Sequence, residues 1–239
     1  MIENNKGGKM GSYFIITGAS SGLGKELKNA IEKNFYDVVD WSKEKGVDIT
    51  KPESISKAVK RLDASEKLLG LINCAGVNYI NWFEKIPLEE WDRVMNTNAR
   101  GMFLVTQALA KRLKNGVVCN VISNASHMPM THSAAYNASK GAAHILSLQM
   151  GRELKKTHNI TVFGVSPNKL KGTGMSKEIE TRVLKLRGWT KEEAAKYQLA
   201  ALPAGEETDP KACAKFITML VTDPSLYRYM NCTVLPFGG

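Results

Sequence analysis

Apolar residues gather in short continuous runs, and longer amphipathic stretches separate them. "YFIIT" (13–17), "DVVDWS" (37–42), "LLGLINCAG" (68–76), "GVVCNVIS" (116–123), "ITVFGVS" (160–166) and "CTVLP" (232–236) read as strands buried on both faces. "GVDIT" (46–50) is a further short run and brings the expected strand count to seven. "KELKNAIEKN", "SISKAVKRLDA", "PLEEWDRVMNTNARGMFLVTQALAKRLKN" and "SAAYNASKGAAHILSLQMGRELKKT" carry helical spacing between these runs. Thr50 with Glu53, and Thr190 with Glu193, have the T-x-x-E spacing of a helix capping box. Strands alternating with helices predict an α/β fold with a parallel sheet covered on both faces. Residues 12–239 are expected to form a single domain. Its helical stretch at about 170–206 would lie beyond a strand's carboxyl end, where such sheets place substrate lids.

The bulk properties remove several classes. A chain of 239 residues with 43% hydrophobic and 23% charged residues is an ordinary globular composition. No apolar run reaches the roughly 18 residues of a membrane helix, so no membrane partner is expected. The first residues, "MIENNKGGKMGS", are expected to be a disordered leader or an expression remnant over 1–11. The four cysteines have no C-x-x-C spacing, which predicts reduced thiols in the cytoplasm and neither disulfides nor a metal site. The net charge of +10 is spread along the chain without a basic stripe interleaved with aromatics. That argues against nucleic acid and fits attraction of an anionic small molecule.

"TGASSGLG" joins the first strand to the first helix. A glycine turn there presents backbone N–H groups and a helix N-terminus to a phosphate. Gly18 permits the tight turn, Gly22 lets a pyrophosphate approach the backbone, and Gly24 lets the helix pack on the strand. Ser20, Ser21 and Leu23 complete the turn, with the two hydroxyls as extra donors. In "YNASK", Tyr136 and Lys140 are four apart and so share one helix face. An ammonium beside a phenol is expected to lower the phenol's pKa and suit it to proton transfer. Ser123 leaves a buried strand at the sheet's carboxyl edge, thirteen residues earlier. Asn98 interrupts the long helix, and Asn73, Ala75 and Gly76 in "NCAG" make another close backbone approach.

Together, "TGASSGLG", "NCAG", "NTN", "NVIS", "YNASK" and the terminal "LPFGG" resemble the short-chain dehydrogenase/reductase family across nearly the whole chain. The resemblance implies a Rossmann-type, doubly wound seven-stranded sheet with a helical substrate lid. It implies catalysis by Ser123, Tyr136 and Lys140, with Asn98 as a fourth member holding a relay water. Hydride would pass between a nicotinamide and a carbonyl or secondary alcohol substrate. Tyr136 would move the proton, Ser123 would bind the developing oxyanion, and Lys140 would hold the nicotinamide ribose. Asp48 and Ile49 would flank the adenine. A homodimer or homotetramer through the helix "GAAHILSLQMG" and the long helix before it is also implied.

The sequence departs from the family in places that bear on the cofactor. Ser42 stands where an acidic residue would select NAD(H), and Lys43 follows it, which favours NADP(H). Asp40, two residues earlier on the same strand face, keeps NAD(H) open. Pro167-Asn168 replaces a Pro-Gly turn, with Asn168 expected to tolerate left-handed backbone, and Thr173 is a candidate for the nicotinamide amide or a phosphate. His127, Met128, Met130 and His132 lie between Ser123 and Tyr136, and Met175, Trp189, Tyr197 and Leu199 lie in the lid region. The reading that follows is an NADPH-dependent carbonyl reductase. A 3-oxoacyl-carrier-protein reductase and a non-catalytic dinucleotide-binding regulator remain alternatives.

Overall fold

The structure, a computed structural model, describes residues 11–200, 202 and 204–238. All but the last residue of the expected leader lie outside the described residues. Six strands form one parallel sheet: β1 (Ser12–Thr17), β2 (Asp37–Trp41), β3 (Lys67–Asn73), β4 (Val117–Val121), β5 (Thr161–Pro167) and β6 (Val234–Phe237). Their order is β2-β1-β3-β4-β5-β6. The chain runs outward from β1 to β2, then returns across β1 to β3. The carboxyl ends of β1 and β3 therefore flank a crevice, the usual ligand position in an open α/β sheet.

The period of two along β1 divides the interior. Tyr13 and Ile15 face one core with Leu71, Val118 and Val162. Phe14 and Ile16 face the other with Phe163 and Val165. Helix α1 (Gly22–Lys33) covers the second face with Leu23, Leu27 and Ile31, beside α8 (Pro210–Thr222). The first face is covered by α2 (Pro52–Lys60), α4 (Met102–Leu109) and α5 (Ala134–His158). Helix α3 (Leu88–Met95) packs on α5, and α6 (Gly174–Arg187) and α7 (Lys191–Ala200) fill the connection between β5 and α8. A short helix, α9 (Pro224–Tyr227), precedes β6.

Three local expectations are corrected. "GVDIT" is a turn, so the strand count among the described residues is six and not seven. A parallel neighbour of β2 needs a crossover of about a dozen residues, and only Ser42–Lys45 separate Trp41 from Gly46. Gly46 instead turns the chain at φ 77°, and the Asp48 carboxylate accepts from the Thr50 backbone at 3.0 Å. Thr50 does not cap the next helix. Pro52 takes the first helical position, Lys51 becomes the N-cap, and the Thr50 hydroxyl donates to Asp48. The second T-x-x-E does form the box: Thr190 N donates to Glu193 Oε2 at 2.8 Å, and Glu193 N to Thr190 Oγ1 at 3.2 Å. The expected long helix is broken by a π-helical turn over Asn96–Gly101, which turns Asn98 into the interior.

Candidate active site

The glycine turn follows β1 at its carboxyl edge. Gly18 has φ 70° and donates its N–H to the Trp41 carbonyl. A Cβ there would stand 2.9 Å from the Ala75 Cα, so this turn and "NCAG" touch backbone to backbone. Thr17 fastens the two, because its Oγ1 accepts from Cys74 N at 3.0 Å and Ala75 N at 3.1 Å. Thr17 escapes sequence reasoning because it reads as the last residue of an apolar strand. A Cβ on Gly24 would lie 2.1 Å from the Gly18 carbonyl oxygen, so α1 can seat only on glycine. Gly22 has φ 51°, and a Cβ there would meet nothing nearer than Thr173 at 4.0 Å. The first turn of α1 holds no acidic residue, and Ser21 at its N-cap makes no side-chain cap bond. An open cradle bounded by backbone N–H groups, a hydroxyl and Thr173 fits a pyrophosphate. Thr173 itself caps α6, accepting from Ser176 N at 3.2 Å.

The side chains of several residues expected at the cofactor are engaged within the protein. Leu23 and Ile49 are buried in opposite cores, with Ile49 against Gly101. The Asn73 amide is committed inside the sheet, donating to Thr106 at 3.1 Å and to Asn120 at 2.8 Å. Asn120 in turn donates to Ser147, so β3, β4, α4 and α5 share one buried polar chain. Asn168 does not adopt left-handed backbone. It works through its side chain: Oδ1 accepts from Asn124 Nδ2 at 2.8 Å, tying the residue after Ser123 to the residue after Pro167.

The end of β2 is settled by register. Asp40 pairs with Ile16 and Trp41 with Thr17, so Asp40 lies within the ladder and Ser42 is the first residue past it. Lys43 reaches Asp48 at 3.4 Å, and the Thr50 bonds together with Lys43 outweigh burial to lower the Asp48 pKa. Glu44, which the sequence reading did not single out, accepts from Ser20 Oγ at 2.7 Å. That bond is the first cause holding the Glu44 carboxyl below its usual pKa. A carboxylate thus stands over the glycine turn, twenty-four residues along the chain from its partner.

Ser123, Tyr136 and Lys140 converge at the carboxyl ends of β4 and β5. Ser123 follows β4, and its Oγ accepts from Ala125 N at 3.2 Å. The first two turns of α5 place Tyr136 and Lys140 on one face, with the Lys140 Nζ 5.7 Å from the Tyr136 ring centroid. Lys140 is 5% exposed and donates to the Val121 carbonyl at 2.9 Å. Burial lowers its pKa to about 8. The expected lowering of the Tyr136 pKa is not what the surroundings produce. Burial raises it, and the Ser123 hydroxyl only partly offsets that. A phenolate loses more hydration here than the Ser123 hydrogen bond returns, so the phenol keeps its proton.

Asn98 clamps the same region. Its Oδ1 accepts from Val77 N at 2.8 Å, and its Nδ2 donates to Val77 O at 2.8 Å and Ser139 Oγ at 2.9 Å. The Asn98 Oδ1 and Lys140 Nζ both approach Gly76, at 3.5 and 3.8 Å from where a Cβ would be. The glycine turn, "NCAG" and the Ser–Tyr–Lys group therefore line one crevice. This arrangement can hold an extended anionic ligand and pass a proton at a buried phenol.

Known proteins share this organisation. The family model for short chain dehydrogenase matches residues 12–183. An NAD-dependent glycerol dehydrogenase of Listeria innocua is 32% identical over 174 residues, 64% of this chain and 68% of that protein. The 3-oxoacyl-(acyl-carrier-protein) reductase of Vibrio cholerae is 26% identical over 238 residues, covering 91% of this chain and 92% of its own. The crystal structure of an actinorhodin polyketide ketoreductase variant with NADPH superposes with a TM-score of 0.81 at 23% identity. It covers 95% of this chain and 96% of that one.

Proposed function

We propose a specific activity for this chain, which belongs to the short-chain dehydrogenase family: the NADPH-dependent reduction of a carbonyl to a secondary alcohol. The observation that carries this reading is the Tyr136 phenol, kept protonated by burial beside the Ser123 hydroxyl, with the Lys140 ammonium 5.7 Å from its ring. The dinucleotide, when bound, supplies the hydride. The cradle from Gly18 to Gly24 holds its pyrophosphate, and Lys140 faces its ribose. Ser123 donates to the carbonyl oxygen of the substrate. Tyr136 gives its proton to that oxygen as negative charge develops there. Lys140 opposes the charge left on the phenolate. Asn98 acts by position, since its amide locks Val77 and Ser139 around the crevice.

NADP(H) is the preferred cofactor in this reading. Ser42, not a carboxylate, stands at the edge position where an acidic residue would repel a 2′-phosphate, and Lys43 is next to it. Glu44 weakens that preference without reversing it. No helix among the described residues is long and apolar enough to cross a membrane. All four cysteines are free, which fits the reducing cytoplasm. Phe103 on α4 and Ile145 on α5 are exposed apolar residues on the helices expected to pair between subunits, and light scattering of the purified chain would read a dimer or tetramer.

The test is loss of nicotinamide absorbance with a panel of ketones, repeated for Tyr136→Phe. The variant is expected to lose turnover by about 10²–10⁴-fold, with dinucleotide affinity, read by fluorescence, nearly unchanged. Surviving turnover in the variant would overturn the assigned proton donor. Dinucleotide binding without turnover of any carbonyl or alcohol would favour a non-catalytic regulator.

A further inference from the structure

Helix α6 follows its N-cap, Thr173, which faces Gly22 of the glycine turn, and its later residues meet the loop after Gly76. Arg182 lies 5.1 Å from the centroid of the Tyr79 ring, three residues past Gly76, and is paired with Glu178 at 3.2 Å. Arg187, at the end of the helix, has no such partner among the described residues. Its guanidinium lies 4.3 Å from the Trp189 ring centroid and 5.1 Å from that of Tyr197. Its Nε is buried and has no hydrogen-bond acceptor among the described residues.

His132 lies in the loop between Ser123 and Tyr136. It is 6% exposed, and its ring meets Trp82 edge-on at 4.3 Å. Its Nε2 is buried without a hydrogen-bond partner among the described residues. The backbone holds it there at some cost: His132 has φ 69°, in the left-handed region, and its carbonyl accepts from Asn81 N at 3.0 Å. The two loops that flank the crevice are thus joined at this residue. Burial, and then the charge of Arg187, hold the His132 pKa below its usual value.

Each of these side chains sets a buried nitrogen without a partner beside aromatic rings, and one of them is an unpaired guanidinium. A guanidinium matches the planar fork of a carboxylate or the oxygens of a phosphate, and stacking on two rings restricts its orientation in advance. We propose that Arg187, with His132, recognises an oxoanion on the substrate, so that the physiological substrate is an acidic carbonyl compound. This rests on the reading above, in which the crevice beside Tyr136 receives the carbonyl. The subsite is a binding site and takes no part in the proton transfer.

The experiment compares acetoacetate with 4-hydroxy-2-butanone, and dihydroxyacetone phosphate with dihydroxyacetone, in the wild type, Arg187→Gln and Arg187→Lys. The expected ratio of kcat/KM, charged over uncharged, is at least about tenfold in the wild type for one pair, the size of one good charge-assisted contact. Which pair shows it distinguishes a carboxylate from a phosphate. Arg187→Gln should collapse that ratio through KM, and Arg187→Lys should retain part of it. A second readout needs no turnover: the favoured anion should change Trp82 and Trp189 fluorescence in the wild type, and at much higher concentration in Arg187→Gln. Equal kcat/KM within both wild-type pairs, with no anion-dependent fluorescence change, overturns the subsite and leaves the carbonyl reaction standing. Fluorescence changes that Arg187→Gln removes, in a protein that reduces no carbonyl, would sink the reaction and keep the subsite.

Discussion

The Lys140 ammonium is 5.7 Å from the Tyr136 ring centroid and is anchored at 2.9 Å to the Val121 carbonyl. A buried cation placed this way costs stability. Its pKa falls from 10.5 to about 8 in the folded chain, so the unfolded chain binds the extra proton between those values. The penalty is complete below about pH 8 and disappears as pH rises towards 10.5. Lys140→Met should therefore raise stability at pH 7 by roughly 1–2 kcal/mol, after the lost bond to Val121 is subtracted. Urea unfolding midpoints at pH 7 and pH 10 measure this. The gain should shrink at the higher pH, while turnover is lost at both.

In the proposed reaction the same pair is expected to set the pH profile. Burial keeps the Tyr136 phenol protonated through neutral pH, and Lys140 loses its charge above about pH 8. Reductive kcat/KM should be flat in the neutral range and fall above about pH 8, by up to tenfold for each pH unit. Initial rates in buffers of constant ionic strength would show it. A profile that climbs through pH 8 would contradict a protonated Tyr136 as donor.

The proposed preference for NADP(H) makes Ser42 and Glu44 the residues to change. Ser42→Asp places a carboxylate at the edge position, and NADPH affinity should drop by about 10–100-fold relative to NADH. Glu44→Gln removes a negative charge from the glycine turn while leaving an acceptor for Ser20, so NADPH should bind several-fold more tightly. Fluorescence titration with both dinucleotides reads the two ratios. If neither variant changes them, the 2′ position is read elsewhere.

Two glycines of the turn should fail differently. In Gly24→Ala the new methyl meets the Gly18 carbonyl oxygen at 2.1 Å, a backbone atom that cannot step aside. A stability loss of about 3 kcal/mol or more is expected. Gly22→Ala has open space but a positive φ, so it should cost only about 1–2 kcal/mol. Its methyl would project into the proposed cradle and weaken dinucleotide binding. Thermal melts with and without NADPH separate the two outcomes.

Much of this architecture is legible in the chain because it depends on short-range spacing. Buried strands announce themselves as apolar runs, and a Tyr and a Lys four apart share a helix face in any context. Local pattern already misleads where a neighbour intervenes. Two T-x-x-E sequences look alike, yet Pro52 makes Lys51 the N-cap in one, and the other closes a full capping box at Thr190.

The rest comes from residues distant in sequence and adjacent in space. Thr17 stitching "NCAG" to the first turn, Glu44 reaching Ser20, and Asn168 gripping Asn124 have no short-range signature, because loop placement sets their separations. The sign of the Tyr136 shift belongs with them. Spacing predicts an ammonium beside a phenol, but the energy of the phenolate depends on how much water the packed crevice excludes, and a pentapeptide carries no record of that. The chain's local patterns thus suffice for the sheet, the glycine turn and the Ser–Tyr–Lys constellation. Packing sets the protonation state of that constellation and the polar surface it presents to a substrate, because burial and charge sum over the whole fold.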